Sequence, residues 1–120
     1  MNDTAFTNIS PEQARAMLDS GEISAVIDTR EMHEWTAERI RGSHCVPVPS
    51  GEAQVLQRLQ TLGLPKETPV LVHCRSGARS MRVMPQILAY GFTQVYHLPT
   101  GILGWRAAGM PTVTGESTSG

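Results

Sequence analysis

The sequence has only two cysteines, Cys45 and Cys74, in its 120 residues. Two thiols are too few for the disulfide framework of a small secreted protein, and neither Cys-x-x-Cys spacing nor a Cys/His zinc pattern is present. No apolar run approaches the length of a membrane span, and the first residues do not combine a basic segment with an apolar one. We therefore expect a cytoplasmic protein that uses neither a metal ion nor a membrane.

Charge is also scarce and nearly balanced. Charged residues make up 18% of the chain, and ten basic residues against eleven acidic ones give a formal net charge of −1. Such a balance offers no general attraction to nucleic acid or anionic lipid, so we expect no nucleic-acid partner. The basic residues are unevenly placed, however, because Arg75, Arg79 and Arg82 fall within eight positions. This local cluster is more informative than the net charge.

A chain of this length has room for one compact domain and not for two. With 40% hydrophobic residues, it can bury a core without help from metals or disulfides. The last nine residues, TVTGESTSG, have little to bury. We expect a domain over residues 4–112 and a flexible C-terminal tail over residues 113–120.

Short β-branched runs alternate with helical patterns along this domain. Apolar strands are predicted at residues 25–27, 45–46, 69–73 and 95–98. Helices are predicted from Pro11 to Gly21, from Glu31 to about Ala37, through Val55 to Leu62, through Val83 to Leu88, and from Ile102. Pro85 lies inside the fourth helix, where we expect a kink. The repeated strand, helix, strand order predicts an α/β domain with a mainly parallel sheet.

One segment, VLVHCRSGARS at residues 70–80, combines the features of a reactive thiol site. A buried strand delivers Cys74 to its carboxyl end, where open α/β sheets place ligands. The turn into the next helix forms an anion-binding nest of backbone N–H groups, in which Gly77 supplies conformational freedom and Ser76 and Ser80 offer hydroxyl donors. Such surroundings lower a thiol pKa, so we expect Cys74 to be largely thiolate at neutral pH. The alternative is an inert core thiol.

This segment resembles the active-site loop of the rhodanese (thiosulfate sulfurtransferase) family, specifically of its single-domain members. The resemblance rests on HCRSGARS at residues 73–80. It continues in VIDTRE at 26–31, RGS at 41–43, YGF at 90–92, GILGW at 101–105 and GMP at 109–111. These segments stand in the family's order and cover about residues 9–111. The resemblance implies a small three-layer α/β domain with a mainly parallel central sheet flanked by helices.

The resemblance also implies a persulfide mechanism that needs no cofactor. In this mechanism the Cys74 thiolate takes the outer sulfur of thiosulfate, releases sulfite, and passes the sulfur to cyanide or a thiol. Thioredoxin-like or other sulfur-relay proteins are further candidate partners. The expected active-site loop consists of Arg75, Ser76, Gly77, Ala78, Arg79 and Ser80.

The arginines have a predicted role in this chemistry. Because thiosulfate is a dianion, Arg75 and Arg79 are expected to attract and orient it, the alternative being a solvated basic edge. Arg79 has a further alternative role, which is to hold the loop in shape. Arg82 lies one helical turn further on and is expected at the surface.

Two other functions remain open. A cysteine phosphatase or arsenate reductase also combines His-Cys, a loop and an arginine, but in phosphatases that resemble this fold the loop is one residue longer. Here four residues, 75–78, separate Cys74 from Arg79. The shorter loop narrows the nest to a single sulfur atom and favours sulfur transfer. A noncatalytic rhodanese-like binding module is the second alternative, and an intact loop with its cysteine argues against it.

Four residues outside the loop are candidates for supporting roles. Asp28 and Arg30 end the first buried strand, and the resemblance suggests that they organise hydrogen bonds and charge near the site. We favour the alternative, which is a structural role. His73 precedes Cys74 on a strand and therefore points to the opposite face. We expect it to support the core and not to act as a base. Cys45 is expected to be a small buried hydrophobe, with a resolving thiol as the alternative.

Overall fold

The structure is a computed structural model that describes residues 5–47 and 52–115. The described residues form β1 (Thr7–Asn8), α1 (Pro11–Ser20), β2 (Ala25–Asp28), α2 (Met32–Ala37), β3 (Ser43–Cys45), α3 (Glu52–Leu62), β4 (Val70–His73), α4 (Ala78–Tyr90), β5 (Val95–His97) and α5 (Gly101–Ala107). The strands make one sheet in the order β1-β5-β4-β2-β3, and every pair in it is parallel. The predicted α/β fold is therefore confirmed.

The sheet separates two hydrophobic clusters because successive strand residues point to opposite faces. On one face Ile27 and Val72 pack with Val55 and Leu59 of α3 and with apolar residues of α4. On the other face lies a smaller cluster that draws on β2, β4, α1 and α5. Its fully buried members include Ala14, Val26, Leu71 and Trp105. Helices on both faces of the sheet give the three layers that were expected.

The start of α1 shows how local sequence fixes these elements. The Ser10 hydroxyl accepts a hydrogen bond from the backbone N–H of Gln13 at 3.1 Å, and the Gln13 side chain accepts one from the N–H of Ser10 at 2.9 Å. Pro11 occupies the first turn, and Gly21 ends the helix with a φ of 85°. This reciprocal cap satisfies backbone donors that a helix start otherwise leaves unpaired.

The strand β1 was not predicted. It has two exposed residues, Thr7 and Asn8, and is too short and too polar to show a strand pattern. The strand forms by pairing with the edge of β5, where Thr7 pairs with Tyr96 and Asn8 pairs with His97. In α4 the helix continues past Pro85 to Tyr90, and the kink expected at Pro85 stays a prediction.

Residues 113–115, at the start of the expected tail, contact the domain at Arg39. Arg39 and Val113 form an antiparallel bridge with backbone hydrogen bonds of 2.9 and 2.8 Å, and the Arg39 guanidinium donates to the carbonyl of Gly115 at 2.6 Å. Because Arg39 is fully buried, its charge needs such carbonyl acceptors, and these hold residues 113–115 against the domain. Residues 116–120, and Thr4 at the expected domain start, lie outside the described residues. Over the described ranges, no helix is long and apolar enough to cross a membrane.

Candidate active site

Cys74 directly follows β4, the strand that lies between β5 and β2 in the sheet. The residue is only 1% exposed. The chain then turns at Gly77, which has a φ of 105° and precedes α4. A Cβ atom at Gly77 would collide with the carbonyl oxygen of Pro99. Glycine is therefore required both by the backbone conformation and by the close approach of a neighbouring loop.

The amino end of α5 supports this loop from the other side. The backbone N–H of Ile102 donates to the carbonyl of Cys74 at 3.0 Å, and that of Leu103 donates to the carbonyl of Arg75 at 3.2 Å. A Cβ atom at Gly101 would collide with the Arg75 carbonyl, so a second glycine permits this contact. The carbonyls of Cys74 and Arg75 are thus bound by α5, and backbone N–H groups of the loop face the sulfur.

The sulfur of Cys74 receives hydrogen bonds from both kinds of donor that the sequence predicted. The backbone N–H of Gly77 lies 3.1 Å from Sγ, and the Ser80 hydroxyl lies 3.4 Å from it. Burial by itself would raise the pKa of Cys74. The Ser80 hydroxyl and the N–H groups of Ser80, Gly77 and Ser76 outweigh it, so the pKa lies below its ordinary value. The direction agrees with an activated thiol, while a largely ionised thiol at neutral pH stays a prediction.

The two arginines of the loop have different surroundings. Arg79, at the start of α4, forms a bidentate ion pair with Glu34 of α2, with Nη1–Oε1 at 2.7 Å and Nη2–Oε2 at 3.1 Å. Arg75 is exposed and makes no ion pair with any described carboxylate. Arg82 is exposed, as predicted. Arg75 is therefore the guanidinium of the loop that remains available to an anion.

Asp28 and Arg30 form a buried pair at the carboxyl end of β2. The Arg30 side chain donates to both carboxylate oxygens of Asp28, at 3.0 and 2.7 Å, and its Nη2 also donates to the carbonyl of Glu38 at 2.6 Å. Asp28 lies level with His73 in the neighbouring strand. The pair fixes the chain where it leaves β2 and lies one strand away from the reactive loop.

His73 contacts the backbone of Cys74 and not its sulfur. Its Nδ1 donates to the Cys74 carbonyl at 2.9 Å, so the proton of a neutral ring lies on Nδ1. Its Nε2 lies 3.6 Å from Asp28 Oδ2 and is buried without a hydrogen-bond partner in the described structure. This arrangement agrees with the expected supporting role.

Cys45 is a buried free thiol at the end of β3, and Cys74 is also free. The Cys45 sulfur lies 3.6 Å from the carbonyl of Arg30. Burial, and then the charge of Asp28, raises the pKa of Cys45 to about 11. A thiol with this pKa is protonated at neutral pH, which favours the interpretation of Cys45 as a small buried hydrophobe.

Two features of the site were not predicted from the sequence. Glu34 pairs with Arg79 from 45 positions away in the chain, and no motif or spacing signals that contact. His97, on β5, lies 2.7 Å from the Ser80 hydroxyl through Nε2 and 2.9 Å from Asn8 Oδ1 through Nδ1. A histidine inside an apolar strand was the available signal, and its place beside the loop depends on the sheet order.

Several known proteins are similar to this chain in sequence and in fold. The family of rhodanese-like domains matches residues 10–108. The chain is 31% identical over 102 residues to the probable adenylyltransferase/sulfurtransferase MoeZ of Mycobacterium tuberculosis, covering 82% of this chain and 24% of that protein. It is 31% identical to the thiosulfate sulfurtransferase GlpE of Pseudomonas paraeruginosa, covering 98% of this chain and 99% of that protein. A crystal structure of a thiosulfate sulfurtransferase from Pseudomonas aeruginosa is similar with a TM-score of 0.75 and 27% identity, over 93% of this chain and 21% of that chain.

The relatives differ in how much of their own length this chain covers. The chain spans about a quarter of MoeZ and nearly the whole of GlpE. The family match begins at the N-cap of α1 and ends after α5, so it includes the Cys74 loop, the strands β2 to β5 and the supporting turn before α5. The resemblance predicted from the sequence is confirmed, and the chain belongs to the family of rhodanese-like domains.

Proposed function

We propose that this protein is a sulfurtransferase that carries sulfane sulfur as a persulfide on Cys74. The donor is thiosulfate or another persulfide, and the acceptor is cyanide or a thiol, including thiols of thioredoxin-like or other sulfur-relay proteins. The proposal is carried by one observation, which is that the Cys74 sulfur accepts hydrogen bonds from Gly77 N–H and Ser80 hydroxyl in a compact loop. The sulfurtransferase activities for which MoeZ and GlpE are named support it.

The chemistry needs a nucleophilic sulfur and a place for negative charge. The Cys74 thiolate attacks the outer sulfur of thiosulfate, and the S–S bond of thiosulfate breaks with its electron pair on the departing sulfite. The outer sulfur becomes the terminal, negatively charged sulfur of the persulfide. An acceptor nucleophile then attacks that sulfur, and the pair of the Cys74 S–S bond returns to Sγ as a thiolate. The loop N–H groups are fixed before the reaction and stabilise the anionic sulfur in both states.

Arg75 and Arg79 have different roles in this chemistry. Arg75 is exposed and without an ion pair among the described residues, so it supplies the positive charge that a dianionic donor meets first. Arg79 is already paired with Glu34, and its first role is to hold the start of α4 against α2. The loop between Cys74 and Arg79 has four residues, which suits one sulfur atom better than the three oxygens of a phosphoryl group.

Intact mass after incubation with thiosulfate tests the proposal. We expect a gain of one sulfur atom that maps to Cys74 and disappears with cyanide, and we expect Cys74→Ser to gain nothing while remaining folded. Cys45→Ser is the matched control and should gain sulfur as the parent does, because Cys45 is a protonated core thiol.

Two other outcomes would contradict the proposal. A folded protein that gains no sulfur from thiosulfate or from a small persulfide would support a noncatalytic binding module instead. Cys74-dependent hydrolysis of an aryl phosphate without sulfur transfer would support the phosphatase alternative.

A further inference from the structure

A line of hydrogen bonds leads from the reactive sulfur across the sheet to β1. Ser80 Oγ lies 3.4 Å from Cys74 Sγ and 2.7 Å from His97 Nε2, and His97 Nδ1 lies 2.9 Å from Asn8 Oδ1. Ser80 is fully buried and His97 is 1% exposed, so water does not compete for the contacts of Ser80 with Cys74 and with His97, whereas Asn8 at the end of the line is exposed. The sulfur-transfer steps described above make no use of His97 or Asn8.

While Cys74 is a thiol, each group in this line donates its hydrogen bond to the next group away from the sulfur. Because Asn8 Oδ1 only accepts, His97 Nδ1 carries the proton of the neutral ring and leaves Nε2 as an acceptor. The single proton of Ser80 has three acceptors within reach, and Nε2 at 2.7 Å is nearer than the Gly77 carbonyl at 3.1 Å or Cys74 Sγ at 3.4 Å. While Cys74 is a thiol, Ser80 Oγ therefore accepts from the Cys74 S–H group. The donation from the Ser80 hydroxyl to Sγ described for the site belongs to the thiolate state. The line therefore runs from thiol to hydroxyl to imidazole to amide.

We propose that His97 takes the proton of Cys74 through the hydroxyl of Ser80. The S–H bond of Cys74 breaks and its proton passes to Ser80 Oγ, while the proton that Ser80 already carries passes to His97 Nε2. The products are a thiolate, an unchanged serine hydroxyl and an imidazolium. No oxidant or second reactant is needed. The inference rests on the proposed function only in taking Cys74 as the reactive group.

The same side chains also stabilise the products. After the transfer, His97 donates from Nε2 to Ser80 and from Nδ1 to Asn8, and the Ser80 hydroxyl turns its new proton towards the thiolate. Both states use the same positions of the heavy atoms, so the proton moves without rearrangement of the core. The thiolate gains the Ser80 donor at the moment when its charge forms.

The groups around His97 make its protonation depend on Cys74. Burial, and then the neighbouring His73 of β4, lowers the pKa of His97. Asn8 from β1 is neutral, and the ring of Phe6 meets the imidazole edge-on with centroids 5.9 Å apart. None of these contacts supplies a negative charge. The Cys74 thiolate is thus the anion that an imidazolium at position 97 would stabilise, so the two groups titrate as a coupled pair.

Replacement of His97 by glutamine removes the base and keeps a polar partner for Ser80. We expect His97→Gln to raise the pKa of Cys74 by about one unit, so that alkylation by iodoacetamide at neutral pH slows about tenfold and recovers in alkali. Thiolate absorbance in the ultraviolet gives the same pKa without a reagent. Cys45 does not interfere, because its pKa is about 11. His44→Gln, which changes a half-buried histidine of β3, is the matched control and should leave the Cys74 titration unchanged.

A double variant separates a relay from a merely structural histidine. Because His97 acts through Ser80, adding His97→Gln to Ser80→Ala should cause no further change in the Cys74 pKa. Full additivity of the two effects, or a Cys74 titration in His97→Gln that matches the parent, would overturn the proposal.

A measurement on the unchanged His97 tests the relay even where His97→Gln fails to fold. By linkage, Cys74→Ala should lower the pKa of His97, followed by NMR of the imidazole, by as much as His97→Gln raises that of Cys74. An unchanged His97 titration in Cys74→Ala would overturn the relay. These measurements use no sulfur donor. A normal relay in a protein that forms no persulfide would therefore contradict the proposed function and leave the relay supported.

Discussion

Arg79 and Glu34 form a bidentate ion pair that joins the first turn of α4 to α2, with nitrogen–oxygen distances of 2.7 and 3.1 Å. The two side chains are only 25% and 21% exposed, so the pair is partly shielded from solvent. A bidentate pair fixes both the position and the plane of the guanidinium. The loop therefore holds one arginine in place with a carboxylate and leaves Arg75 exposed beside it.

Removing the charge of Glu34 should improve the use of thiosulfate. Glu34→Gln removes a negative charge near the site, while the amide oxygen can still accept a hydrogen bond from Arg79 and hold the start of α4, so we expect the specificity constant for thiosulfate to rise by about threefold to tenfold. The amide oxygen of the substituted side chain can still accept the hydrogen bond that the N–H of Glu31 makes to the Glu34 carboxylate at 3.0 Å, so the start of α2 is preserved. Single-turnover formation of the persulfide measures the effect.

The matched control removes another carboxylate that pairs with an arginine. Glu38 directly follows α2 and lies 3.1 Å from Arg106 of α5, in a pair that includes no residue of the Cys74 loop. Glu38→Gln should leave persulfide formation unchanged. An equal gain in both variants would show that net charge, and not the carboxylate charge beside Arg79, determines the rate. A loss of activity in Glu34→Gln would show that a held Arg79 is required.

The same pair should make stability depend on acid pH. The Arg79 hydrogen bond lowers the pKa of Glu34 from 4.5 to about 2, which outweighs the effect of burial. A carboxyl with a lowered pKa stabilises the folded state above its unfolded pKa, and this stabilisation is lost as pH falls through the folded value. Glu34→Gln should therefore cost stability at neutral pH and lose less between about pH 4.5 and 2 than the parent. Urea unfolding across this range measures both, and parallel curves would contradict the pair's contribution.

The sequence was sufficient to predict the elements that local chemistry determines. The residues Val70, Leu71 and Val72 form an apolar run before His73 and Cys74, as expected of a central strand, and Gly77 marks the turn into α4. The cap at Ser10 is equally local. These features are encoded within a few residues, so the main strands, the helices and the turn after Cys74 could be predicted from the chain alone.

The parts that the sequence did not predict depend on contacts between distant elements. Glu34 meets Arg79 because α2 lies beside the loop, and α2 by itself shows only a short helical pattern. His97 meets Ser80 because β5 lies next to β4, and it meets Asn8 because β1 adds to the sheet edge. Sheet order is a tertiary property, so no spacing in the chain indicates either contact.

The turn at Gly77 should tolerate no side chain. At a φ of 105°, alanine is strained by about 1–3 kcal/mol, and its Cβ would in addition collide with the Pro99 carbonyl. We expect Gly77→Ala to lower the free energy of unfolding and to reduce persulfide formation at least about tenfold, because a shift of the Gly77 N–H removes a donor to the sulfur.

Gly109 provides the control for this prediction. Its φ is also positive, at 78°, but nothing lies within 4 Å of a Cβ atom placed there. Gly109→Ala should therefore show the backbone strain alone and keep full persulfide formation. Chemical denaturation and single-turnover kinetics of the two variants separate strain from collision, and equal behaviour would contradict a specific role for the close approach at Pro99.

The exposed charge of Arg75 should act on the donor step more than on the acceptor step. Arg75→Ala removes a cation that a dianionic donor meets and a neutral thiol does not, so we expect the specificity constant for thiosulfate to fall about tenfold. Transfer from the preformed persulfide to a neutral thiol should change little. Arg82→Ala is the matched control. It removes an exposed arginine of α4, one turn after Arg79, and should leave both steps unchanged.

Salt distinguishes this effect from a structural one. Exposed charges are screened over about 8 Å at physiological ionic strength, so the difference between the parent and Arg75→Ala should shrink as salt is raised. Arg79→Ala should behave differently, because it breaks the pair with Glu34 and loosens the start of α4, which slows both half-reactions alike. Single-turnover measurement of each half-reaction at several salt concentrations tests both expectations. If Arg75→Ala slowed the two steps equally and without salt dependence, Arg75 would be holding the loop, and donor attraction would have to come from the loop N–H groups alone.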